Sequence, residues 1–298
     1  MGVALGRKGI RAAVLHQHNG GWHITRVQEM PVSLSLFEGE PPPDAIQVLA
    51  QALASLLPET VGNFVPLHLA LPGASVSLRV LTLDAVPKTE SDRISLVRWR
   101  LAQELAVGYE LACSYQVLEQ GKNGGALLGI AVDARWLVCL TEACRIAQIV
   151  PTVIDAGFSS LFNLSYSQIA TFSGDSVLIC LEAESWSMLA IDGQTRIKFA
   201  RSWWRTPIAA SAGGSDYQAL ALEAEQAIRA YIHGGSAPVE RVYLAGDESD
   251  IKPLAAVLDQ RMQQRCHALA VTAQKIPNNV RSPSGNFSTA LAATFDLR

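Results

Sequence analysis

A chain of 298 residues, 49% hydrophobic and 17% charged, can bury the cores of two ordinary domains and is not a disordered polymer. Its formal net charge of −3 gives no global electrostatic case for nucleic-acid binding. Cys113, Cys139, Cys144, Cys180 and Cys266 form no C-x-x-C pair, which argues against a zinc framework or a disulfide scaffold and for reduced thiols in a cytoplasmic protein.

Arg7, Lys8 and Arg11 break any signal-peptide core, and no apolar run reaches membrane-spanning length, so membrane association is expected only through a partner. Three strands are predicted over 3–7, 9–16 and 22–28, with Asn19-Gly20-Gly21 as the turn between the last two. His16, His18 and His23 flank that turn. Without a nearby carboxylate or cysteine they read as solvated histidines, and no metal site is expected. After Pro41-Pro42-Pro43, Asp44 can cap a helix carrying Ile46, Leu49, Leu53, Leu56 and Leu57 at helical spacing. A buried strand over 65–71 ends at Pro72-Gly73, and 76–83 alternates as a half-buried strand does. A helix over 91–106, with Ser91 as N-cap, presents Ile94, Val97, Leu101 and Leu105 on one face.

Strands over 115–119 and 126–132 form a hairpin through Gly121–Gly125, whose spacing is not that of a phosphate loop. A helix over 134–149, a strand over 150–155 and a helix over 159–170 lead to a domain joint at 171–175. A second set of three strands then opens: Val177–Leu181, Trp186–Ile191 and, after the hairpin signal Asp192-Gly193, residues 195–201. Residues 202–214 read as a loop carrying Trp203 and Trp204, aromatics suited to a partner or to packing in a cleft. Helix over 217–233, strand over 241–245, helix over 249–262, strand over 267–271 and a closing helix over 288–297 complete the chain. Each half thus opens with a strand meander and continues in alternating helix and strand, an α/β class pattern.

Several stretches resemble the PilM family of type IV pilus assembly proteins, actin-like relatives of MshI, FtsA and the GspL cytoplasmic domain. They are Ala70-Leu71-Pro72-Gly73, Val80–Leu83, the 94–105 helix with Arg98-Trp99, Tyr115–Leu118, Ala156-Gly157 and Arg241–Gly246, in the family's order over the whole chain. The resemblance implies an actin-like, ribonuclease H-like fold of two domains, each a mixed sheet with flanking helices, and a small α+β insertion in the first. It places the first domain at 1–172, with the insertion at about 73–133 and the closing helix 286–298 returning to it, and the second at 173–285. It further implies a cytoplasmic protein that binds the tail of a PilN-like inner-membrane protein, for which Arg98, Trp99 and Leu101 are the candidate residues, with self-association possible.

The family's nucleotide motifs are degraded. Gly6 and Gly246 survive as vestigial motif positions. Ala4 stands where the family's first strand has its Asp. In Cys180-Leu181-Glu182-Ala183-Glu184-Ser185-Trp186, Cys180 replaces the second Asp, Glu182 a Gly and Trp186 a Thr. A carboxylate ~4 Å from a phosphate oxygen repels it by about 4 kcal/mol at an effective dielectric of ~20. Trp186 is expected to fill volume a ligand would need. No catalytic residue and no cofactor are therefore expected, with ATP and Mg²⁺ disfavoured. The alternatives are an active ATPase using Asp155, Asp175 or Asp192 and, more distantly, a kinase of the same superfold. Glu182 and Glu184 themselves read as surface residues at a hairpin mouth.

Overall fold

The computed structural model describes residues 1–18, 21–56, 67–121, 124–194, 196–205, 215–234, 238–263, 265–270 and 290. The predicted closing helix apart from Ala290, the polar 275–285 stretch and the tips of the first two glycine-rich turns lie outside the described residues.

The first sheet is built from β1 (Gly2–Leu5), β2 (Gly9–His18), β3 (Gly21–Pro31), β4 (Leu67–Leu71) and β8 (Pro151–Ala156), in the order β3-β2-β1-β4-β8. The second uses β9 (Ser176–Leu181), β10 (Ser185–Ile191), β11 (Ile197–Trp204), β12 (Arg241–Gly246) and β13 (Cys266–Ala270), in the order β11-β10-β9-β12-β13. Both repeat one plan. An antiparallel meander of three strands supplies one side, and two strands parallel to its first member complete the other. The first hairpin turns of the two meanders, 6–8 and 182–184, are therefore topologically equivalent.

Between these sheets in sequence, β5 (Ser77–Leu83), β6 (Leu111–Gly121) and β7 (Gly124–Asp133) form a separate three-stranded sheet in the order β5-β7-β6. Helix α2 (Glu90–Leu105) covers it by burying Val97 and Leu101 against Leu81, Leu127 and Ala131. The N-cap is Thr89, whose hydroxyl accepts from the Asp92 amide at 3.2 Å; the expected Ser91 lies inside the helix. Thr89→Ala is expected to cost about 1 kcal/mol in urea unfolding, the usual loss of a Thr cap.

Alternation explains how the second sheet is buried on both faces. Along β9, Leu178 and Cys180 point into a core that is continuous with the first sheet, α1 (Ala45–Leu56) and α3 (Ala134–Ile146). Val177, Ile179 and Leu181 point the other way, into a core with α5 (Ser215–His233) and α6 (Glu248–Met262). Helix α4 (Gly157–Ile169) packs against β4 and β8 on one side and β9 and β12 on the other, so it stitches the two sheets together. Strand β11 runs to Trp204, where a loop was expected from residue 202, and it leans on β5.

Candidate functional site

The two equivalent hairpin turns face each other across the cleft between the sheets. In the first, Gly6 closes β1 with its amide donating to the Gly9 carbonyl at 2.7 Å, which leaves the Arg7 and Lys8 amides pointing outward from the turn. In the second, the Glu182 amide donates to the Ser185 carbonyl at 3.0 Å and the turn projects both of its carboxylates towards the first half. Oε2 of Glu184 accepts from the Arg7 amide and, at 3.2 Å, from the Lys8 amide. Oε2 of Glu182 accepts from the Gly73 amide at 2.6 Å and from the Ser185 hydroxyl. Gly73 begins the one-turn 3-10 segment Gly73–Ser75 that follows β4, so the residues after Pro72 present an amide where the strand ladder has ended.

Glu182 is buried, which overturns its reading as a surface residue. Burial pushes its carboxyl up from its ordinary 4.5 to about 7, against the opposing pull of the Ser185 hydroxyl, the Gly73 amide and the Arg205 guanidinium. Arg205 is itself buried. Its Nε donates to the Glu182 carbonyl at 2.8 Å and its Nη2 pairs with Asp250 at 2.8 Å, so the turn's backbone is fastened to α6 as well.

Beside the two carboxylates lies a cavity of about 20 Å³, lined by Ala4, Leu5, Gly6, Arg11, Pro72 and the 182–185 turn. That is room for a single water molecule, whereas ligand pockets for small organic molecules run to ~300–1,000 Å³. Gly6 lines this cavity. A Cβ on Gly6 would stand 3.0 Å from Glu184 Oε2, so the glycine accommodates the chain's own carboxylate. Gly246 lies elsewhere, at the end of β12, with φ +154°. A Cβ there would meet the Leu181 carbonyl at 2.8 Å, so this glycine permits backbone packing.

Three further expectations are corrected or narrowed. Trp186 does not fill the cleft: strand alternation turns it into the α5–α6 core, stacked on Trp203 with centroids 4.2 Å apart, while Ser185 and Ser187 face the first half. Leu101 is wholly buried under α2, whereas Arg98 is exposed and Trp99 is 52% exposed, so the three do not form one face. Asp192, Asp175 and Asp155 do not line the cavity. Asp192 and Asp175 brace the β10–β11 turn, and Asp155 holds the Ala156 amide and the Ser159 hydroxyl at the start of α4. Cys180 is buried, and burial pushes its thiol well up. Among the described residues no cluster of His, Cys, Asp and Glu is arranged to hold a metal.

The pairing of Glu182 with Gly73 was out of reach of the sequence. The Glu182-Ala183-Glu184 spacing carries no signal, and the partner amide lies 109 residues away.

No protein-family model matches the chain, and no curated protein matches it. Among solved structures it is similar to a chain of the PilM-PilN type IV pilus biogenesis complex, at 18% identity and a TM-score of 0.74, over 99% of this chain and 97% of that one. It is also similar to a protein of Bacteroides thetaiotaomicron with an actin-like ATPase fold and unknown function (11% identity, TM-score 0.56, 98% and 94% covered). The cytoplasmic domain of EpsL, an inner-membrane component of the Vibrio cholerae type II secretion system, superposes more loosely (10% identity, TM-score 0.46, 99% and 93% covered). The chain has the actin-like ATPase fold that its motifs imply.

Proposed function

We propose that this chain, built on an actin-like fold, is a cytoplasmic assembly scaffold of a type IV pilus or related secretion machine. It binds the short cytoplasmic tail of a PilN-like inner-membrane protein and does not hydrolyse ATP. The observation that carries the reading is the occupied cleft: the amides of Arg7, Lys8 and Gly73 are engaged by Glu184 and Glu182. A nucleoside triphosphate with Mg²⁺ does not fit these residues. Its phosphates would meet two carboxylates and a cavity of about 20 Å³. Ala4 and a neutral Cys180 offer no oxygen to the cation. The partner half of the reading is supported by the likeness in fold to PilM, which is itself in complex with PilN, over nearly the full length of both chains. No helix of the described residues is long and apolar enough to cross a membrane, so the tail of a partner would supply the attachment.

The domain limits proposed with this reading are 1–172 with the closing 286–298 segment, and 173–285, the three-stranded sheet and α2 forming the insertion. Within the insertion, Arg98 and Trp99 on the outer side of α2 are the proposed contact residues, and Leu101 supports the helix from beneath.

Isothermal titration decides between scaffold and ATPase. A synthetic peptide of a PilN-like cytoplasmic tail is expected to bind the full chain, while Mg-ATP gives no heat of binding. Trp99→Ala is expected to weaken the peptide at least about tenfold, roughly 1.4 kcal/mol, with an unchanged unfolding midpoint because the ring is half exposed. Micromolar Mg-ATP binding accompanied by phosphate release would sink the scaffold reading.

A further inference from the structure

We propose that the carboxyl groups of Glu182 and Glu184 are the protein's own ligands. They fill a latent oxyanion site made by the amides of Arg7, Lys8 and Gly73, and in filling it they fasten the two sheets together. The inference concerns the cleft and holds whichever partner the outer surfaces bind.

Successive backbone amides converging on one oxygen form an anion nest, and Arg7 and Lys8 do this to Glu184 Oε2. On Glu182 Oε2 a single amide, that of Gly73, converges with the Ser185 hydroxyl of the same turn as Glu182. Both positions are opened by missing side chains: a Cβ on Gly6 or Gly73 would stand 3.0 or 2.6 Å from these oxygens. The site also has a cation of its own. Arg11 lines the cavity, and its buried Nε has no partner among the described residues although its Nη2 pairs with Glu29 at 2.6 Å. Amides, glycines and a guanidinium together select a compact oxyanion. The carboxylates reach them from a turn 109 to 177 residues away in sequence, so each such bond joins the first half of the chain to the second. Truncating both side chains would empty the nests and join their volume to the existing cavity, leaving a space whose donors suit inorganic phosphate.

The test uses the full chain carrying Glu182→Ala and Glu184→Ala, unfolded thermally at several concentrations of inorganic phosphate against chloride of equal ionic strength. The wild-type midpoint is expected to ignore phosphate. The variant should start lower and climb by several degrees, to a plateau, as phosphate fills the vacated nests. Adding Arg11→Gln should remove most of that climb. A folded variant indifferent to phosphate, or a wild type that climbs as much as the variant, overturns the proposal. Should the double variant fail to fold, amide hydrogen exchange on wild type and Glu184→Ala takes its place. The Arg7, Lys8 and Gly73 amides are expected to be protected in wild type, with Arg7 and Lys8 alone released in the single variant. Exchange of these amides at open-loop rates in wild type would overturn it equally. The inference shares the occupied cleft with the scaffold reading, but the two fail on different measurements, phosphate-dependent unfolding or amide exchange here and titration with Mg-ATP or a tail peptide there.

Discussion

Glu182→Gln is expected to be more stable than wild type by about 1 kcal/mol at pH 5.5 and by about 3 kcal/mol at pH 8. Burial lifts the Glu182 carboxyl from 4.5 in the unfolded chain to about 7 in the folded one. Between those values the folded protein holds a proton that the unfolded chain has released, so stability falls as pH rises. The contribution is fully present below about pH 4.5 and gone above about pH 7, and its size is capped at about 3 kcal/mol. Glutamine is neutral throughout. Its carbonyl can accept from the Gly73 amide and the Ser185 hydroxyl as the acid does. Asp192, held below the usual carboxylate range by its bonds to Arg196 and the Gln194 amide, loses its contribution only at lower pH and with the opposite sign. The difference between variant and wild-type urea unfolding curves across pH 5–8 therefore isolates Glu182. Two parallel profiles would show that the carboxyl is charged throughout and that the cleft is wetter than its burial implies.

What could be read from the sequence divides along a physical line. Periodicity and turn chemistry are local, and they located both meanders to within a few residues. The apolar run Val177–Leu181 is a central strand because both of its faces are covered, and Asp192-Gly193 turns the chain where expected. Alternation was legible too, and applied to β10 it would have turned Trp186 away from Ser185 and Ser187. Comparison with a family motif concealed this, because a motif assigns Trp186 the position of the residue it replaces and not the direction in which a larger ring must pack. The fate of the two glutamates was not legible. Whether a carboxylate after a buried strand meets water or an amide depends on the residues that face it across the cleft. Gly73 and Arg7 are contributed by a different sheet, and no local rule joins them to residue 182 or 184. Ala4 and Cys180 were visible in the sequence as departures from the family motif. The structure adds the bonds that Glu182 and Glu184 make within the chain.

Gly73→Ala is expected to cost about 2–4 kcal/mol in urea unfolding, far more than an Ala for Gly exchange costs where the backbone is unstrained. The added methyl would lie 2.6 Å from both Glu182 Oε2 and Ser187 Oγ. Ser187 is tied to the Ser202 hydroxyl at 2.7 Å, and the Glu182 carboxylate is held by the very amide that the methyl adjoins. Relief by moving Glu182 breaks that bond and leaves a buried amide and a buried carboxyl unsatisfied together. A double-mutant cycle separates this mechanism from general disruption of the Pro72-Gly73 turn. In a Glu182→Ala background the carboxylate clash is gone and only the Ser187 contact remains. The same Gly73→Ala change should then cost less by at least about 1 kcal/mol, a coupling between residues on different sheets. Equal costs in the two backgrounds would place the damage in the turn alone. A large coupling would mean that the two halves of this fold are joined at the cleft by one carboxyl and one amide.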